Sequence, residues 1–237
     1  MKKVLLIAMS LTVISACAQG RIKGNGQLAT KTVTTEDYEK VSVAGFFDVN
    51  LVSGNEGKIT VEGESNLIEH LKIESVGGVL KIATQPGKKL STTHGMGIKI
   101  TVPFESISGV SLSGSGDVKG KSTIKAGTFE TALTGSGDLT LDVEADTVEA
   151  AVTGSGDLVL KGKADTLRCD VTGSGDLNAY GLQSVKVQSQ VTGSGDCKVF
   201  CTGELEGRVS GSGDIHYKGD PKKTDNKVSG SGSISKA

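Results

Sequence analysis

Tryptophan is absent from the 237 residues, and the other aromatics amount to 5 Phe and 3 Tyr. So few rings argue against a stacking groove for sugars, and the core must be built from Val, Leu, Ile and Ala. An excess of either charge is missing too: 26 basic residues face 27 acidic ones, and the most basic stretch, residues 218–227, also carries Asp220 and Asp225. No nucleic-acid partner is expected from such a balance. The three histidines, His70, His94 and His216, lie far apart and outside any metal-ligand spacing. Proline occurs 3 times, whereas glycine occurs 34 times. Glycine in that amount without a Gly-X-Y period excludes collagen and predicts many tight turns. With 36% hydrophobic and 22% charged residues the chain can fold.

No apolar run is long enough for a permanent membrane span. Met1-Lys2-Lys3, the apolar stretch Val4 to Ile14 and the small residues Ser15-Ala16 before Cys17 read instead as a secretory signal over residues 1–16. Ile14-Ser15-Ala16-Cys17 resembles a bacterial lipobox, which makes Cys17 the acylated first residue of the mature chain and the membrane the partner of its lipid; Ala16-Cys17-Ala18 is also an ordinary cleavage site. Removal of residues 1–16 takes away Lys2 and Lys3 and no acid, leaving the mature chain acidic by three charges. Export implies a disulfide-permissive compartment. Besides Cys17 there are three thiols, Cys169, Cys197 and Cys201, an odd number that cannot all pair within the chain.

A repeat dominates the C-terminal half. Gly-Ser-Gly-Asp begins at Gly114, Gly135, Gly154, Gly173, Gly193 and Gly211 and closes as Gly-Ser-Gly-Ser at Gly230, at spacings of 21, 19, 19, 20, 18 and 19 residues. Two positions before each first glycine stand Leu112, Leu133, Val152, Val171, Val191, Val209 and Val228; four positions after it stand Val118, Leu139, Leu158, Leu177, Cys197, Ile215 and Ile234. Columns six before and six after are apolar as well. This period of two within a period near twenty predicts an all-β fold: a parallel β-solenoid over residues 111–237, each coil carrying two or more short strands. Both glycines share the parity of the apolar columns and are expected to face inward, where the wall bends or approaches a neighbour.

The opposite parity then faces outward in ladders: Thr134, Thr153, Thr172 and Thr192; Ser136, Ser155, Ser174 and Ser194; Asp138, Asp157, Asp176 and Asp196. These form the candidate ligand surface. Stacked carboxylates repel, so a compensating group is required. Turn amides and hydroxyls supply one account. The alternative is calcium held by Asp117, Asp138, Asp157, Asp176, Asp196 and Asp214, although the nine-residue calcium β-roll pattern is not the one found here. Apart from calcium, no cofactor is expected.

Residues 17–35 read as a linker and residues 36–110 as an irregular β segment that begins or caps the solenoid. Short alternating runs such as Val41-Ser42-Val43 and Ile98-Lys99-Ile100-Thr101-Val102 are separated by turns, and only Ser65 to Lys72 looks helical, with Asn66 as its cap. Val43-Ala44-Gly45-Phe46-Phe47-Asp48-Val49, Val61 to Leu67, Ile98 to Pro103 and the Gly-Ser-Gly-Asp string together resemble the head GIN domain family of auto-transporter adhesins, over about residues 36–233. The resemblance implies a β-helical fold and an exported Bacteroidetes-type protein, and it carries no catalytic or binding residues over. In lipoproteins of that kind an acidic run behind the cysteine accompanies surface export. Ala18-Gln19-Gly20-Arg21-Ile22-Lys23 has none, which favours the periplasmic face of the outer membrane over the cell surface.

The expected function is therefore non-enzymatic: an envelope lipoprotein whose solenoid flank binds or scaffolds a protein or glycan. A polysaccharide-active enzyme on a β-helix would need a unique cluster of acids with Arg or Lys, yet the arginines are Arg21, Arg168 and Arg208 and the aspartates repeat. A dimerising structural module is the remaining alternative, since open β edges pair between copies, although the last coil, with Lys218, Lys222, Lys223, Lys227 and Lys236, reads as a charged cap against such pairing.

Overall fold

The computed structural model describes residues 20–237; the signal segment and Cys17 lie outside them. The described chain is nearly all β, stacked as a parallel solenoid of about 7 turns with coils of about 19 residues. Among the described residues no helix is long and apolar enough to cross a membrane.

The N-terminal half builds the base of this stack, and it does so out of chain order. β1 (Ile22–Lys23) and β2 (Leu28–Thr34) occupy the segment read as linker; β3 (Lys40–Gly45), β4 (Asp48–Ser53) and β5 (Lys58–Glu64) follow. The helix α1 spans only Ser65–Ile68, because Leu71–Val76 is strand β6, paired antiparallel with β7 (Val79–Thr84). Asn66 does not cap it. Its Oδ1 accepts from the Asn25 N–H at 3.1 Å and its Nδ2 donates to the Lys23 carbonyl at 2.8 Å, so it ties down the incoming chain. The cap position belongs to Glu64, a buried carboxylate that accepts from the N–H groups of Gly26 and Thr93 and from the Thr93 hydroxyl.

β8 (Leu90–Ser91) pairs with β1, and β9 (Lys99–Phe104) completes the base. β7 and β9 form one layer; β3 and β4 lie parallel on them as the second; β10 (Gly109–Gly114) and β11 (Asp117–Gly120) lie on β3 and β4 as the third. The half read as irregular thus supplies two layers of the same stack, with β5, β2 and β6 added antiparallel around them.

Above β10 and β11 the expected short strands merge. β12 (Ile124–Gly135), β13 (Asp138–Gly154), β14 (Leu158–Gly173), β15 (Leu177–Gly193) and β16 (Cys197–Gly211) are long bent strands closed by the Gly-Ser-Gly-Asp turn. β17 (Ile215–Lys218), β18 (Lys223–Gly230) and β19 (Ile234–Lys236) make the last coil. In-register parallel pairing continues round the corners, which is why the strands do not break. Departures from a 19-residue spacing are absorbed by register shifts, between Val159 and Lys161 and between Ala179 and Gln183.

The core is the set of inward columns. Leu112, Leu133, Val152, Val171, Val191 and Val209 are at most 3% exposed, and the column from Val118 to Ile215 is fully enclosed. Each such Val or Leu contributes on the order of 1.5–3 kcal/mol. Cys197 sits in that second column between Leu177 and Ile215, a small core residue as its position predicts. A contact not visible in the sequence is that its Sγ lies 3.6 Å from that of Cys169. The hydrogen bond with Cys197, reinforced by burial, pushes the Cys169 thiol well above the usual range. All three described cysteines are buried and free.

Candidate binding surface

The turn that repeats most is built by backbone. The first glycine of each unit has φ between 117 and 133°, a region in which L side chains are strained. The N–H groups of the serine and the second glycine both donate to the carbonyl of the preceding coil's first glycine, as Ser155 and Gly156 do to Gly135 at 2.8 and 3.0 Å. Strands and turns therefore share one ladder of hydrogen bonds along the solenoid axis.

The glycines are not inward-facing side-chain positions. A Cβ on Gly154 would stand 2.4 Å from the Gly135 carbonyl oxygen, and one on Gly156 would stand 2.0 Å from that of Gly137. The missing side chains point along the axis at the coil beneath, so parity in sequence misplaces them while the close approach expected there is present. The base shows the same rule from the other side. Phe47 takes the place of the second glycine, beneath Gly116, and its fully buried ring fits because no Gly-Ser-Gly-Asp turn lies below it.

Each aspartate serves the next coil. Asp138 Oδ1 accepts the N–H of Asp157 at 3.3 Å, Asp157 that of Asp176 at 3.2 Å, Asp176 that of Asp196 at 2.8 Å and Asp196 that of Asp214 at 3.0 Å. Asp117 stands apart: its N–H goes to the Phe47 carbonyl and its carboxylate to Lys119 at 3.4 Å. Asp214 accepts from both the hydroxyl and the N–H of Ser233, which, hydroxyl first, hold its carboxyl below the usual aspartate range. These bonds are the compensation that a stack of carboxylates requires. Among the described residues no group of three or more His, Cys, Asp or Glu is placed to hold a metal ion.

The threonine and serine ladders differ in kind. Thr134, Thr153, Thr172 and Thr192 and Ser136, Ser155, Ser174 and Ser194 are all exposed. In-register pairing places Thr134, Thr153, Thr172 and Thr192 directly above one another, roughly 4.8 Å apart. The predicted ladder thus separates into a frame of Gly and Asp and a free hydroxyl surface of Thr and Ser.

Two grooves escape sequence reasoning, because the corners of the coil shape them. One, of about 790 Å³, has the small residues Ala126, Ala145, Ala164 and Ser184 between charged columns that include Lys125, Glu144 and Asp165. The other, of about 540 Å³, runs over Val110, Thr131 and Ala150 beside Glu130, Glu149 and Arg168. Along its rim Arg168 bridges Glu149 at 2.9 Å and Gln188 at 3.0 Å, and Gln188 reaches Glu206 at 3.1 Å, so the outer columns are joined across coils. A column of small residues recurring between charged ones was the available signal.

No curated protein matches the chain. Solved structures do. A "putative adhesin" from Bacteroides fragilis superposes at TM-score 0.83 with 21% identity, over 91% of this chain and 100% of that one, a likeness of fold. A "putative lipid binding protein" from Parabacteroides distasonis superposes at 0.76 with 26% identity, over 92% and 100%. A "putative adhesin" from the same organism superposes at 0.73 with 26% identity, over 92% and 100%. A family model matches residues 37–221, most of the described stack. With the solenoid, its Gly-Asp frame and that match in place, the chain belongs to the head GIN domain family, whose description is "putative auto-transporter adhesin".

Proposed function

We propose that this protein is a non-enzymatic cell-envelope lipoprotein, anchored through Cys17, that binds an extended protein or glycan partner along its solenoid flank. One observation carries the reading: every coil closed by a Gly-Ser-Gly turn exposes a Thr or Ser hydroxyl on either side of its first glycine, and the frame is held by other groups. Many equal weak contacts at a fixed spacing suit multivalent attachment, where affinity comes from number. The family's adhesin description and the adhesin name of one of the Parabacteroides distasonis structures support it. The lipid-binding name of the Parabacteroides distasonis structure keeps a lipid headgroup among the ligand classes to be screened.

The anchor has its own test. Cells expressing the wild type and Cys17→Ala are labelled with palmitate and fractionated. The expected result is label and membrane association in the wild type and loss of both in the variant; equal labelling overturns the lipoprotein assignment.

A further inference from the structure

The two ends of the stack are finished differently. At the base, antiparallel strands cover the parallel layers, β6 on β7 and β5 on β9, and the outermost edges among the described residues are those of β6 and of β2, which pairs with β5. At the far end, β18 pairs only with β16 and β19 only with β17 among the described residues. Alternate N–H and C=O groups of β18 therefore point out along the axis without a strand to receive them. The last turn differs from the others: Ser233 stands where the six earlier turns have Asp, so it offers no carboxylate of the kind that accepts the next coil's N–H from Asp138 to Asp214.

The core column does not end with the ladder. Val228 lies directly above Val209, which is 3% exposed, yet it is itself 42% exposed. All eight residues of β18 are exposed. An apolar column left uncovered beside an unpaired strand edge is a pairing surface.

We propose that β18 pairs antiparallel with β18 of a second copy of this chain, giving a tail-to-tail dimer. The strand's own sequence selects the partner. In the register that places Asn226 opposite its twin, Asp225 faces Lys227 of the partner copy and Lys227 faces its Asp225, both on the outward parity of the strand. Thr224 faces Val228 on the inward parity, so each exposed Val228 is covered. Directly opposed unlike charges stabilise an antiparallel pair and like charges destabilise it. Asp225 already holds Arg208 at 2.8 Å, and Arg208 also holds Glu206 at 3.1 Å, so the paired Lys227 extends an existing ladder of alternating charge across the junction. An isologous contact closes on itself and yields a dimer rather than a fibre. β1 sits with the base layers, at the opposite end of the stack. On the tethered reading above, the pairing edge is then the end far from the anchor, positioned to join chains on facing surfaces.

The test uses residues 17–237 with Cys17→Ala, soluble and independent of the anchor, in sedimentation equilibrium from micromolar to the highest soluble concentration. The expected result is a monomer–dimer equilibrium weakened about tenfold or more by Lys227→Asp, which sets acid against Asp225 at two points, and unchanged by Lys227→Arg. Thermal melting of the dilute, monomeric variants should match that of the wild type. A strict monomer, a series of oligomers beyond the dimer, or a dimer indifferent to Lys227→Asp overturns the proposal.

Discussion

Gly156→Val is expected to unfold the coil it sits in, costing about 4 kcal/mol or more, the range reached only when a core or backbone arrangement is broken. A Cβ there would lie 2.0 Å from the Gly137 carbonyl oxygen, and backbone on both sides leaves nothing flexible to move away. Relief would require the two coils to part, and parting them breaks the bonds from Ser155 and Gly156 to Gly135 together. Gly154→Ala adds a second cost, since φ at that position is 122°. The control is Gly127, where an added Cβ meets nothing nearer than Asp146 Oδ2 at 3.9 Å. Gly127→Ala should be neutral or stabilising by about 0.5 kcal/mol through the unfolded chain. Urea unfolding of the three variants separates these outcomes. Equal midpoints for Gly156→Val and wild type would mean that the coils do not stack as described.

Asp176→Ala should cost about 1–2 kcal/mol, because it strips the Asp196 N–H of its acceptor at a half-buried turn. Asp176→Asn keeps an acceptor oxygen and removes a charge from a column of like charges, so its stability should stay within about 0.5 kcal/mol of wild type. The pair of variants distinguishes hydrogen bonding from charge. If the carboxylates were needed as charges, for example to hold calcium, Asn would be as damaging as Ala. Asp214 adds a pH dependence of known sign. Its carboxyl is held below the ordinary range in the folded state by Ser233, so its contribution is present in full above the ordinary aspartate pKa. The contribution is lost as pH falls through the lower native value.

Much of this was legible in the residues and some was not, for physical reasons. Period and parity identify the solenoid because a stacked coil returns each inward position to the same column, and Leu133, Val152, Val171 and Val191 lie where that argument puts them. Parity fails at the glycines because the tight turn aims the missing side chains of both along the axis at the coil beneath, although only the first of each pair has positive φ. The base was opaque because its pairings are long-range and out of order: Lys40 lies between Val79 and Gly109, a relation that no local pattern encodes. The helix expected over Ser65 to Lys72 shortened for the same reason, since pairing with β7 claims Leu71 onward for a strand. At the candidate surface, the ladders were readable as columns, but which of them the fold consumes was not. The Asp–amide bonds connect residues about a coil apart, and only their geometry separates the aspartates of the frame from the free hydroxyls beside them.

The most direct test follows from that separation. Beads coated with residues 17–237, Cys17→Ala, are measured for adherence to a panel of glycan-coated and bacterial surfaces and to phospholipid vesicles, alongside variants in which one, two and three of Thr153, Thr172 and Thr192 are replaced by Lys. Melting is recorded in parallel. The account predicts a graded loss of adherence with the number of threonines replaced and a melting temperature that does not move. Adherence unaffected by all three replacements, or abolished only together with the fold, would contradict it.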